Sequence, residues 1–289
     1  MASTQALKSR IRSVKSTRQI TKAMQLVAAS KMRRAQESTL ASTPYATAAR
    51  QLLTTMSRRT NVRQHPLFKH RPIATRLLIV IASDKGLAGA YNSNILKLYA
   101  QQLHGDDVEG IKNTTISVGR RAAQFVARLK DTEVLGAYEE LSDQSDSREL
   151  QAIKDQALEL YSSGQVDAVD IIYTDFISSI NQQAVIRRIL PAGFEPDSTI
   201  SDNEDVLYEP DLTTLLDSVA HRLVGAQIYQ ALLDARASEH SMRMLAMKNA
   251  TDNASDLIDD LTLAMNKARQ AAITQELAEI SGGVEAISE

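Results

Sequence analysis

The sequence predicts an α/β chain joined to a long antiparallel coiled coil. The coiled coil is formed by the N- and C-terminal helices, and the middle domain between them is an open, doubly wound, mostly parallel sheet. Three observations predict this. From Asp211 to Ser281 there is no proline and a single glycine, Gly225. From Ala2 to Thr43 there is neither proline nor glycine, and the first glycine of the chain is Gly86. Between these ends, short apolar runs alternate with helical patterns, which is the signature of strand–helix–strand units. A helix from Asp211 to Ser281 would rise roughly 105 Å at about 1.5 Å per residue, too far to bury one face in its own globule. It must pair with another long helix, and the other end of the chain supplies one.

The first helix is expected from about residue 3 to 57, with Ser3 or Thr4 as its N-cap. Leu7, Ile11 and Val14 follow 4-then-3 spacing, and Ile20, Met24, Val27 and Lys31 resume it on a shifted stripe. Pro44 should kink or interrupt this helix, because it lacks an N–H and crowds the preceding turn. Residues 60–75, with Pro66 and Pro72, read as a loop. The apolar run Leu77 to Ser83 reads as a buried strand, closed by the turn sequence SDKGLAG. A helix from about Asn92 to Leu103 follows. Next come a strand over Thr114 to Val118, Gly119, and a helix to about Leu129. Residues 147–162 read as helix, and Val169 to Phe176 and Ala184 to Leu190 as strands, the last ended by Pro191. Residues 191–209 read as an acidic loop. The second long helix starts near Asp211, with apolar positions Leu212, Leu215, Leu216, Val219, Leu223, Leu232, Met242, Leu245, Leu257, Leu261, Ala264 and Ala268. Gly282 and Gly283 are expected to end it. The chain thus divides into 1–60, 76–190 and 211–283, the outer two pairing.

Composition narrows the function. There is no cysteine, which excludes disulfides, thiolate metal sites and cysteine catalysis. The longest central apolar run, Leu77 to Ala82, is far short of the ~20 residues that cross a bilayer. The N-terminus lacks a secretory apolar region and any transit-like extension, so the chain is expected to work where it is made. A net charge of −2 conceals an asymmetry. Residues 1–76 carry 16 Lys and Arg against one acid, Glu37, for +15, and the remainder carries −17. A basic arm of this density is expected to meet an acidic surface.

No motif recommends an active site. SDKGLAG lies where nucleotide loops lie, after a strand and before a helix, but matches neither GxxxxGK followed by Ser or Thr nor GxGxxG. It is read as a tight turn. The five histidines, 65, 70, 104, 221 and 240, lack metal-ligand spacing, and His65 and His70 read as a surface pair. The basic run RIRSVKSTRQITK with KMRR has the charge of a DNA-binding arm, but no leucine zipper follows it. No cofactor, metal, nucleic acid or small-molecule substrate is expected. The competing classes are a coiled-coil scaffold or tether, a nucleotide-binding enzyme built on the α/β domain, and a basic DNA-binding coiled coil.

Two stretches go beyond periodicity. RIRSVKSTRQITKAMQLVAASKMRRAQ, Arg10 to Gln36, closely resembles the N-terminal signature of the γ subunits of F-type ATP synthases. RMLAMKNATDNASDLIDDLTLAMNKARQAAITQELAEISGG, Arg243 to Gly283, resembles their C-terminal signature. SDKGLAGAYN looks like the family's middle motif, with Lys85 in place of the usual arginine and Ala88 where many members have cysteine. LYEPD, Leu207 to Asp211, is also similar. The resemblance covers essentially the whole chain in order. It implies a central shaft inside a hexamer of α and β subunits, with the α/β domain near the ε subunit and the membrane ring of c subunits. It also implies a peripheral location on the cytoplasmic face of a bacterial plasma membrane, and no active site on this chain. By resemblance, Met24, Arg269, Gln270 and Thr274 would contact β, and Glu209 would lie in the coupling region of the foot. Charge density adds Lys31, Arg33 and Arg34 to the surface facing β.

Overall fold

The computed structural model describes residues 4–59, 65–129, 132–141, 148–192 and 212–288. Ten elements follow in order: α1 (Thr4–Arg59), β1 (Thr75–Ile81), α2 (Tyr91–Glu109), β2 (Lys112–Val118), α3 (Arg120–Val126), β3 (Glu133–Tyr138), α4 (Arg148–Ser162), β4 (Ala168–Phe176), β5 (Gln182–Leu190) and α5 (Leu212–Ser288). A short 3-10 turn, Pro66–Phe68, precedes β1. The chain forms two compact units, residues 29–242 and residues 1–28 with 243–289.

Residues 29–242 hold one five-stranded sheet in the order β3-β2-β1-β4-β5. β1, β2, β3 and β4 pair in parallel, and β5 returns antiparallel to β4. β1 is central because its sequence, TRLLIVI, is apolar on both faces. Leu77, Ile79 and Ile81 enter one core with α4 and α5, while Leu78 and Val80 enter the other with α2 and α3. This two-residue alternation across the pleat covers both faces with helices. β3 was not expected from the sequence. It is a half-exposed edge strand with Gly136 inside it, and its register against β2 shifts between Thr115 and Ile116, where Leu135 is passed over.

Two buried features pin the sheet. Arg76 pairs with Asp106 at 3.0 Å and with Asp170, which also pairs with Arg188. Gly119 stands at the β2–α3 turn with φ +88°, and a Cβ there would lie 2.1 Å from the carbonyl oxygen of Ala82. Gly225 has a packing reason instead: a Cβ would meet Lys154 Cδ at 3.1 Å, so the glycine lets α5 approach α4.

The two long helices run antiparallel. Thr21 Oγ1 and Thr251 Oγ1 are hydrogen-bonded at 2.8 Å in one unit, and Ser42 Oγ and Gln230 Oε1 at 2.8 Å in the other. Within each unit these bonds pair a rising stretch of α1 with a falling stretch of α5. Pro44 does not interrupt α1. Both Pro44 and Leu40, whose carbonyl loses its partner there, are exposed, so water can satisfy that carbonyl. Nor do Gly282 and Gly283 end α5, which continues to Ser288. Glycine permits a left-handed cap but costs only about 1 kcal/mol inside a helix.

Candidate functional site

The strand-to-helix loop Ser83–Gly89 uses its polar groups internally. Ser83 Oγ donates to Lys85 O (2.7 Å), and Ser83 N donates to Asn92 Oδ1 (3.1 Å). Asp84 Oδ1 accepts from the backbone N–H groups of Arg120 (3.0 Å) and Glu140 (3.2 Å). In doubly wound sheets, ligands enter the crevice at the carboxyl ends of the strands where the order reverses. At the carboxyl ends of β1 and β2, beside that point, Leu232, Ala235, Arg236 and Glu239 of α5 line a cavity of about 30 Å³ with Ile81, Ala82 and Gly119. That is room for about two waters, not for a nucleotide.

Among the described residues no three His, Asp or Glu side chains are grouped to hold a metal ion. His65 is not one of a surface pair with His70. It is half-buried, its Nδ1 accepts from Leu67 N (3.3 Å) and its Nε2 faces Asp217 Oδ1 at 3.3 Å. His221 lies on the other side of Asp217, with Nδ1 2.8 Å from the Asp217 carbonyl oxygen. These contacts fasten the segment before β1 to the start of α5. No described helix is long and apolar enough to cross a membrane.

The surface with unspent chemistry is the outside of the helix pair. In residues 1–28 with 243–289, the inner seam of α1 keeps the spacing that begins at Leu7, Ile11 and Val14. It continues through Arg18, Thr21, Gln25 and Ala28, all buried or half-buried. α5 answers with Met247, Thr251, Ala254 and Ile258. The stripe expected through Ile20, Val27 and Lys31 is outside the seam. Ile20 and Val27 are each 57% exposed, and Lys31 is exposed. Leu245, Leu257 and Ala264, expected to be apolar seam positions of α5, are exposed as well. The seam tolerates Thr and Ala because two helices at close range need small residues that fit, and the Thr21–Thr251 bond satisfies the polar atoms.

The site residues expected from the sequence fall into separate zones. Met24 is half-buried at the edge of the seam. In the register set by the Thr21–Thr251 bond, Thr4 at the start of α1 faces Ala268. α5 therefore continues past the start of α1, and residues 269–278 are all exposed. Arg269, Gln270 and Thr274 belong to this single-helix stretch, where Thr274 Oγ1 donates to Gln270 O at 3.0 Å. Met24 faces Lys248 by the same register, so Arg269 is roughly 30 Å farther along. The structure does not bring these two zones together. Lys31, Arg33 and Arg34 belong to the other unit and are exposed. Arg33 pairs with Glu37 at 3.9 Å on the surface, a contact of small worth. Glu209 lies outside the described residues. The sequence reading missed the outward apolar residues Ile20, Leu26 and Val27 as surface. Their signal was present in their positions off the strict 3.5-residue repeat.

Comparison with known proteins gives a consistent result. A family model described as ATP synthase matches residues 3–287. The ATP synthase γ chain of Xylella fastidiosa is 39% identical over 288 residues, covering 99% of this chain and all of that one. The ATP synthase γ chain of Ralstonia nicotianae is 40% identical over 293 residues, with the same coverage. Among solved structures, the central stalk and c-ring of the Tetrahymena thermophila mitochondrial ATP synthase contains a similar chain. It is 26% identical with a TM-score of 0.61, covering 80% of this chain and 99% of that one. A chain in the Euglena gracilis mitochondrial ATP synthase shares the fold at 21% identity and a TM-score of 0.65, covering 98% of this chain and 94% of that one.

Proposed function

This chain belongs to the ATP synthase family, among its γ chains, and from that premise we propose that it is the rotating central stalk that couples turning of the membrane c-ring to the catalytic cycle of the β subunits. The observation that carries the reading is the bare end of α5, an unbroken exposed stretch from 269 to 278 beyond the start of α1. A helix end of this kind is unstable alone in water unless something encloses it.

On this reading, residues 1–60 and 211–283 are the shaft and residues 76–190 the foot. The chain has no active site and needs no cofactor; nucleotide chemistry belongs to β. Met24, Lys31, Arg33, Arg34, Arg269, Gln270 and Thr274 face α and β. Glu209, with the foot, faces ε and the c-ring, driven by protons or sodium ions, at the cytoplasmic face of a bacterial membrane.

Coupling then follows from unequal contacts. Each β subunit exchanges among conformations of different nucleotide affinity, and a shaft biases them only by the difference in its contact energy with each. Moving a two-state site from 1:99 to 99:1 takes about 5.5 kcal/mol of such difference. A shaft whose outside mixes exposed basic side chains with Ile20, Leu26 and Val27 unevenly around its axis offers different contacts to β subunits at different angles. Exposed charge pairs, each worth little, can break and reform during rotation where a packed apolar surface would lock.

The test is assembly of this chain with the α and β subunits of its own organism. One copy per hexamer, sustained ATP hydrolysis, and rotation of a probe fixed to residues 76–190 are expected. Folded partners that never take up the chain would leave a tether.

A further inference from the structure

Helical serine and threonine hydroxyls usually bond back to the carbonyl four residues earlier in their own helix. Several in this chain do so: Thr17 to Ser13, Ser255 to Thr251, Thr262 to Ile258. Ser238 and Ser241 of α5 do not. Both are fully buried, and both hydroxyls leave their own helix for the sheet. Ser238 Oγ donates to Thr174 O near the end of β4 (3.1 Å), and Ser241 Oγ donates to Ser179 O in the β4–β5 turn (2.6 Å).

The receiving turn is closed by its own hydrogen bonds. Ser178 N donates to Asn181 O at 2.9 Å, and Asn181 N donates back to Ser178 Oγ at 3.0 Å. Gln182 closes the arrangement, its Nε2 lying 2.8 Å from Ser178 O and 3.1 Å from Ser241 Oγ. Ser241 therefore both donates and accepts outside its helix. Residues three apart share a helix face, so the two serines form a pair of directional keys on one side of α5. Apolar packing resists separation but is non-directional. Rotation of α5 about its own axis, or a slip of one residue (about 1.5 Å and 100°), breaks both keys together.

We infer that Ser238 and Ser241, with Gln182, are positioning residues that fix α5 in angle against the α/β unit, so that torque on that unit turns the helix instead of sliding past it. This rests on the rotor reading. No nucleotide or β contact is assigned to these residues; they act through the angle of α5.

The test uses the assembled complex, with the hexamer fixed to a surface and a gold rod on residues 76–190. The unaltered complex is observed first. Its failure to rotate would overturn the rotor reading and this inference with it. In the Ser238→Ala/Ser241→Ala variant, the angular variance of the stalled rod should rise about twofold, and ions pumped per ATP hydrolysed should fall while hydrolysis persists. Gln182→Ala, which leaves the helix untouched, should give a smaller change of the same kind. In the isolated chain, amide exchange around Ser238 and Ser241 should quicken about tenfold. Lower thermal stability with unchanged variance and pumping ratio in Gln182→Ala and in the assembled double variant would make these bonds structural only, and the inference would be wrong.

Discussion

Replacing Asp234 by asparagine should stabilise the protein at neutral pH and remove part of its pH dependence. Asp234 is 8% exposed, on the side of α5 that meets the sheet. Its one side-chain hydrogen bond among the described contacts comes from Gln230 Nε2 at 3.2 Å. The nearest cation in the cluster, Arg187, is 3.8 Å from Asp175 and is shared with that second carboxylate. Burial, then the charge of Asp175, pushes the Asp234 carboxyl up to about 6 from 3.8, with Gln230 and Arg187 opposing. Below about pH 4 both folded and unfolded chains hold the proton and the group contributes nothing. Between about 4 and 6 the unfolded chain ionises first, so stability falls as pH rises, and above 6 the penalty is constant. A rise of about two pH units, at about 1.36 kcal/mol each, sets a ceiling near 3 kcal/mol, the opposing effect of Arg187 already included. Asparagine keeps the oxygen that Gln230 donates to and carries no charge. Urea unfolding of both chains from pH 4 to 8 is the assay. The difference in stability should be near zero or favour the aspartate at pH 4, grow in favour of asparagine to about pH 6.5, and then level. A variant that is less stable at pH 7.5, or a difference that does not change with pH, would refute the reasoning.

Gly119→Ala should cost more than about 2 kcal/mol, because the added carbon meets the Ala82 carbonyl at 2.1 Å at a positive φ, and calorimetry of the isolated chain would show it. Met24→Lys would place a new cation at the rim of the seam, beside the outward stripe; in the assembled complex it should lower ions pumped per ATP more than it lowers assembly. Arg269→Ala removes an exposed guanidinium from the single-helix end of α5, so the isolated chain should keep its stability within about 0.5 kcal/mol. Turnover or assembly of the complex should fall, and normal rotation and coupling would remove Arg269 from the contact surface.

The strands of the α/β unit were legible because their apolar runs are short, bounded by turn residues and carried by β-branched side chains, as in LLIVI of β1. β3 was not, since an edge strand needs little burial and its Gly136 reads as a loop. The helix seam misled for a different reason. Hydrophobicity ranks Ile20 and Val27 above Thr21 and Ala28, yet Ala28 is 2% exposed and the two larger residues face water. Carrying the 4-then-3 spacing of Leu7, Ile11 and Val14 forward strictly gives 18, 21, 25 and 28, the seam that forms. The choice of the larger residues treated every apolar stripe as a core stripe. A helix in a pair has one seam, and its spacing is set by the partner's geometry, so small and hydrogen-bonded residues can fill it. A second apolar stripe, off that spacing, has no partner within the pair. Leaving Ile20, Leu26 and Val27 in water forgoes the ~1.5–3 kcal/mol that burying each would contribute. That shortfall, beside the exposed basic side chains of α1 such as Lys22, Lys31, Arg33 and Arg34, is what a helix pair shows when its outside is completed by another chain.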